Sequence, residues 1–230
     1  MALTAFCLSR NKQNKFLILG LAPVFLMFFL IESQSAQIAL IVGAFVYFLF
    51  PISKSYAWFG SFVFIVVCIV CAPFIVKVGF RILPADIYDY HLLQQSFVGH
   101  RFEIWNFVIT QVFESPLLGH GVEFTKNYDG FKTEGRFLMY NTVLHPHNFI
   151  VQTWIEVGLV GVLSACALIG MVFKFLHGLE DMFLKRAALT MFLTIIFVAC
   201  FSYGMWQSWW LGLIFIVAGI FCASHKIVKT

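Results

Sequence analysis

The sequence predicts an all-α, polytopic membrane protein with about six transmembrane helices and one long hydrophilic loop on the outer side. Three observations predict it: an apolar composition, six separate apolar segments, and a one-sided distribution of positive charge. Of 230 residues, 61% are hydrophobic and only 11% charged, with a mean hydropathy of +0.90. Soluble domains run at roughly 45–50% apolar and about 25% charged. The lipid bilayer is therefore the first partner this composition implies. No nucleic-acid partner is expected, and no nucleotide-binding glycine loop or internal repeat is visible.

The chain reads as a single membrane domain, 1–230. Its amino end, "MALTAFCLSRNKQNK", is basic but too polar for a cleavable signal peptide, so the apolar run at 16–31 reads as an uncleaved first span. The second run, 36–50, follows the tight hairpin "ESQSAQ" (32–37). Both are short against the ~17–20 residues a span needs, which leaves a re-entrant arrangement open. The runs at 57–79 and 148–173 are comfortable spans. Those at 187–203 and 208–224 flank "SYGMWQSWW" (202–210), a second hairpin whose Trp206, Trp209 and Trp210 read as an interfacial belt. "CIVC" (68–71) has metal-like spacing but no His or acidic partner near it, and reads as buried thiols.

Orientation follows from charge. With the amino end inside, the inner segments carry Arg10, Lys12, Lys15, Lys54, Lys174, Lys185, Arg186, Lys226 and Lys229, nine of the fifteen basic residues. The short outer turns carry none, which is the positive-inside pattern. Both termini are then expected inside, and the segment 80–146 outside. That loop holds seven of the eleven acidic residues and, with His147 at its edge, five of the seven histidines (His91, His100, His120, His145, His147). Within it, "HRFEIWNFVITQVF" (100–113) repeats apolar residues at a helical period, as an amphipathic helix on the outer membrane face does. Pro116, Gly119 and Gly121 of "ESPLLGHG" stop it. No cysteine lies in the loop, so no disulfide framework is implied.

"HPHNFIVQTWIEVGLVG" (145–161) sets reactive side chains at the mouth of a span. Pro146 suits a first helical turn, and Asn148 or His147 a cap. A helix amino end favours anions such as phosphate and biases a histidine towards its neutral, basic form. Asn148, Gln152 and Glu156 recur every fourth residue as one polar stripe entering the membrane, and a carboxylate at that depth faces the bundle interior or a wet cavity. Gly158 and Gly161 mark a place where another helix can approach closely. Each feature has a plain structural reading beside it. His147 can serve as a cap alone, Arg101 as an interfacial snorkeller, and Glu156 as a partner for a neighbouring Ser or Thr. A metal site built on "HPH" with His120 or Asp129 lacks a fixed third ligand.

Taken together, "HRFEIW", "PLLGHG" and "HPHN…GLVG" (100–161) resemble the core of the O-antigen ligase and polymerase superfamily. The resemblance implies an inner-membrane, GT-C-like glycosyltransferase acting on the periplasmic side, without metal or other cofactor. It moves a glycan from an undecaprenyl-pyrophosphate carrier to an acceptor hydroxyl. The acceptor is lipid A–core for a ligase, or another lipid-linked glycan for an O-antigen or exopolysaccharide polymerase. The implied roles are His147 as base and Arg101 as diphosphate clamp, with His145, Asn148, Arg136 and Arg81 as substrate-binding candidates. Trp105, Gly119, Gly121, Gln152, Glu156, Gly158 and Gly161 would support them. Where many members carry an arginine in an earlier outer hairpin, this chain has Gln34, which is why Arg81 or Arg136 is a candidate substitute. Family members are about twice this length, so the resemblance covers a carboxy-terminal half, with a separate amino-terminal half as a candidate partner. An inactive truncated remnant, or a transport or other non-catalytic membrane subunit, is the competing class; a transporter predicts inverted repeats with broken helices, and the sequence shows no such repeats.

Overall fold

A computed structural model describes residues 33–82, 98–128 and 143–229, with Leu26 and Leu30 ahead of them. The expected first span at 16–31, Arg136 and Asp129 lie outside the described residues, apart from Leu26 and Leu30. What is described is all-helical. The elements are α1 (Gln34–Leu49), α2 (Ser55–Ile82), α3 (Val98–Val112), the single turn α4 (Phe124–Asn127), α5 (Phe149–His177), α6 (Met182–Phe201) and α7 (Ser208–Lys229). Five of the six apolar segments are thus helices, displaced at their ends by a few residues.

Three of them, α2, α5 and α6, are long and apolar enough to cross a membrane. At 1.5 Å per residue their 28, 29 and 20 residues reach at least the ~30 Å of a hydrocarbon core. The 16 residues of α1 do not reach it at that rise. In α7 the apolar part, Ser208–Ala223, is likewise short.

The described chain forms two compact units. One comprises 1–61, 171–198 and 206–230. In it, Gly43 of α1 lies so close to α6 that an added Cβ would come within 2.9 Å of the Thr194 hydroxyl. Arg186 donates to the carbonyls of Tyr47 (2.6 Å) and Phe50 (3.2 Å). The last carbonyls of a helix have no partner of their own, and a guanidinium supplies one with favourable charge. Asp181 caps α6 by accepting the Leu184 N–H at 2.7 Å. Trp58 packs edge-on against Phe50 and Phe173 and donates its indole N–H to the Ile52 carbonyl at 2.9 Å.

The other unit comprises 62–170 and 199–205. Its core is the buried face of α3 (Ile104, Val108, Ile109, Val112) with Val151, Ile155 and Val162 of α5 and Ile69 of α2. Helix α2 touches α3 through Phe80–Phe102, and the residue just after α3 through Phe74–Phe113, with Lys77 over the Phe113 ring at 4.2 Å. Thus α3 packs into protein along one face, where the sequence suggested a helix resting on the membrane surface.

One detail shows how α2 tolerates Pro73. Proline has no N–H, so the carbonyl four residues back, on Ile69, loses its helical donor. The buried Trp154 indole of α5 donates to that carbonyl at 2.8 Å. An unsatisfied buried carbonyl costs about 1–3 kcal/mol, so Trp154→Phe, which keeps most of the ring, is expected to destabilise the fold by that amount. Thermal unfolding of the two proteins in the same detergent checks it.

Candidate functional site

Helix α5 begins with Asn148, not Pro146. The Asn148 side-chain oxygen accepts the N–H groups of Ile150 (2.9 Å) and Val151 (3.2 Å), while its carbonyl accepts from Gln152 (2.9 Å). This is the N-cap arrangement. Pro146 falls outside the helix because His147 takes a left-handed backbone, φ 56°, which no helix start continues through. Non-glycine residues adopt that region rarely and under restraint. The restraint is visible: the Trp105 indole donates to the Pro146 carbonyl at 2.7 Å, and His147 Nδ1 lies 3.1 Å from the Ser202 carbonyl.

That last contact sets the chemistry of the imidazole. A carbonyl only accepts, so Nδ1 carries the proton and donates it. In the neutral ring Nε2 is then left with a lone pair. Burial, and secondarily the Arg101 charge, hold His147 below the ordinary histidine value of 6.5, while the Ser202 bond opposes them. The His145 ring lies 4.2 Å away at 49°. Burial pushes it down to about 4, with the neighbouring His147 adding to the effect. Both rings are therefore neutral at neutral pH. Arg101 is itself lowered by burial, but a guanidinium stays charged. Arg101, Trp105, His145 and His147 are thus assembled at the mouth of α5. Arg81 stands exposed in the last turn of α2.

Deeper in, Gln152 and Glu156 are 3% and 2% exposed. Gln152 donates to a Glu156 carboxylate oxygen at 3.0 Å and accepts the Met205 N–H at 2.8 Å. The same carboxylate oxygen accepts the Glu123 N–H at 3.2 Å. The stripe therefore faces the bundle interior, with the Gln152 amide and a loop N–H both at the Glu156 carboxylate.

The glycine pair does something the spacing did not indicate. At Gly158 (φ 64°, ψ −157°) α5 is broken, and what approaches it is a loop, not a helix. In an unbroken helix Leu159 and Val160 would donate to Ile155 and Glu156. Here Leu159 donates to Pro116 (2.9 Å) and Val160 to Leu117 (3.2 Å), while Ile155 accepts from His120 (2.8 Å) and Glu156 from Gly121 (2.9 Å). The turn 116–121 is spliced into the helix, exchanging two helical bonds for four. Gly119 and Gly158 make the splice possible. A Cβ on Gly119 would sit 2.6 Å from Glu156 O, and one on Gly158 2.6 Å from Gly119 N. Gly121 serves through its φ of 99°. The atoms nearest a Cβ on Gly161 belong to its own helix, at Val157 and Thr153.

Three residues of this site went unread in the sequence. Ser202, Gly204 and Met205 of "SYGMW" sit in a hairpin whose tryptophans dominated its reading. The left-handed Glu123 (φ 61°) is another omission. Of the metal readings, no group of three or more His, Cys, Asp or Glu is placed to hold an ion among the described residues.

Three proteins carrying the name "Putative polysaccharide ligase" align with this chain. That of Rickettsia conorii is 30% identical over 138 residues, covering 57% of this chain and 33% of the relative. That of Rickettsia felis is 26% identical over 212 residues (80% and 51%), and that of Rickettsia typhi 25% over 196 residues (75% and 48%). The chain spans between a third and about half the length of these curated relatives. No solved structure matches it. A family model described as O-antigen ligase matches residues 19–166, a stretch that takes in Arg101, the spliced turn and His147 and ends inside α5. Since that match runs through well over half of the 230 residues, the chain belongs to the O-antigen ligase family.

Proposed function

We propose that this chain carries the acceptor-activating site of a membrane glycosyltransferase. The enzyme moves a glycan from undecaprenyl-pyrophosphate to an acceptor hydroxyl, and the reaction is O-antigen ligation to lipid A–core. The observation that carries the reading is the His147 imidazole with Nδ1–H committed to the Ser202 carbonyl, which leaves Nε2 as a proton acceptor beside Arg101.

In the proposed step the acceptor hydroxyl gives its proton to His147 Nε2 as its oxygen attacks the anomeric carbon. The bond from that carbon to the diphosphate oxygen breaks, and the diphosphate leaves with the electron pair. Diphosphate is already a good leaving group, so the protein supplies chiefly positioning and charge. Arg101 offers the planar, bidentate contacts that phosphate oxygens accept. Arg81 and Arg136 are candidates for the second clamp, with His145 and Asn148 near the acceptor. Gln152, Glu156, Gly119, Gly121 and Gly158 hold the frame, and Trp105 holds Pro146. The setting is the periplasmic face of a bacterial inner membrane, with six spans and both termini cytoplasmic, supported by the positive-inside charge pattern.

Deleting the gene and running the surface glycan on a ladder gel tests the reading. Loss of all capped lipopolysaccharide is the result expected of a ligase. A surviving single-repeat band would instead identify a polymerase, and an unchanged ladder would sink both.

A further inference from the structure

The hairpin at 202–205 lies beyond the stretch matched by the family model, yet it touches the His–Asn helix start at every turn. The Ser202 carbonyl takes the His147 Nδ1–H at 3.1 Å. Gly204 is buried against the flat of the neighbouring ring: a Cβ there would lie 2.7 Å from His145 Cγ, 2.9 Å from Cδ2 and 3.0 Å from Nδ1. The Met205 N–H is fastened to the Gln152 side chain at 2.8 Å, and the Thr153 hydroxyl lies 3.6 Å from the Met205 sulfur. Three residues of one hairpin, Ser202, Gly204 and Met205, are therefore keyed to residues 145–153.

We propose that this hairpin is the positioning element of the site, with the Ser202 carbonyl selecting the His147 tautomer and Gly204 keeping that carbonyl in range. The inference rests on the reading of His147 as the base. Contacts below 3.0 Å are not sustained by real Cβ atoms, so a side chain at 204 must push either the hairpin backbone or the His145 ring. The ring has nowhere simple to go, since the tilted His147 ring lies 4.2 Å from it and Pro146 is held by Trp105. The hairpin moves, and Ser202, two residues away, moves with it. A hydrogen bond weakens steeply once its angle and distance are lost. Without that acceptor the imidazole is free to place its proton on Nε2, and the lone pair then faces the wrong way. Ser202 and Gly204 are positioning residues: they act only through His147.

The test reads the tautomer directly. The full chain, labelled with ¹⁵N-histidine and placed in phospholipid nanodiscs at pH 7.5, is compared with Gly204→Ala, the His147 signals being assigned by their loss in His147→Gln. The wild type is expected to hold the Nδ1–H form at His147, and Gly204→Ala to shift it to the Nε2–H form or a mixture. The double variant His145→Ala/Gly204→Ala removes the ring that the new Cβ strikes and is expected to restore Nδ1–H, which a misfolded protein would not do. A wild type lacking Nδ1–H, a Gly204→Ala protein that keeps it, or a double variant that fails to recover it would each overturn the proposal. In glycan transfer, Gly204→Ala should lower kcat roughly 10²-fold with the KM for the polyprenyl-diphosphate donor unchanged. A fall in donor binding instead would overturn the positioning role. Failure of the reaction itself registers separately, as transfer retained in His147→Ala, and leaves the tautomer result standing.

Discussion

His147→Ala should reduce glycan transfer by roughly 10²–10⁴-fold, the range general-base catalysis contributes, while the protein still folds and still binds donor. The expectation of intact folding comes from where the side chain sits. It is partly exposed at the helix mouth, and Asn148, not His147, caps α5. A substitution there costs one hydrogen bond to a backbone carbonyl, not a core contact. The pH dependence has a definite sign. The base works in its neutral form, so activity is present above the pKa of His147 and lost as pH falls through it. Burial and Arg101 lower that pKa, so the acid limb of the rate profile lies below 6.5, the ordinary histidine value. Arg101→Gln removes one lowering influence and should move the limb upward as well as weakening the donor. Surface glycan on a gel, in a cell with no other copy of the gene, checks the first claim; transfer that survives in His147→Ala would falsify the assignment. Rates in proteoliposomes between pH 4.5 and 8 check the second.

Gly158→Ala is expected to have a large structural effect for a single added methyl group. Its dihedrals lie in a region that is essentially glycine-only, where another residue costs about 1–3 kcal/mol. The added Cβ would also lie 2.6 Å from Gly119 N and from the carbonyl carbon and oxygen of Leu117. Backbone atoms of a spliced turn cannot swing aside as a side-chain tip does. The splice must open, breaking some of the four bonds that hold 116–121 in α5. Gly119→Ala fails for the mirror-image reason, at Glu156 and Val157. By contrast, an added Cβ at Gly219 in α7 meets nothing within 4 Å. There an alanine should be neutral or mildly stabilising, since glycine costs a helix about 1 kcal/mol relative to alanine. Thermal unfolding of the three variants in one detergent makes the comparison; a Gly158→Ala protein as stable as Gly219→Ala would refute the splice.

A broken helix was what a transporter reading would have expected, and α5 has one. Its four exchanged backbone groups are all engaged by the turn 116–121. They close a structural joint, which favours the family's glycan chemistry over passage of an ion through those groups.

Much of this was legible in the amino-acid order, because burial in lipid and helix periodicity are local and additive. Long apolar runs must be helices to satisfy their own backbone, so six helical segments follow from the apolar pattern, and the five within the described residues are helices. His145 and His147 were likewise signalled by reactive side chains at a helix mouth, and Arg101 and Trp105 were joined to them by the resemblance to the O-antigen ligase family. What failed was whatever depends on a partner far away in the chain. Gly158 read as room for a helix, because a glycine says only that something comes close, not what. "SYGMW" read as a belt of tryptophans, because a carbonyl and a missing Cβ carry no sequence signal.

By itself, then, the order of residues determined that this is a helical membrane protein, and which short stretch carries its reactive groups. Tertiary structure alone set the Ser202 carbonyl against Nδ1 of His147, and opened α5 to admit the turn at 116–121. The physical reason is the same in both cases. A backbone carbonyl or N–H is identical in every residue, so its use is settled only when another segment is folded against it.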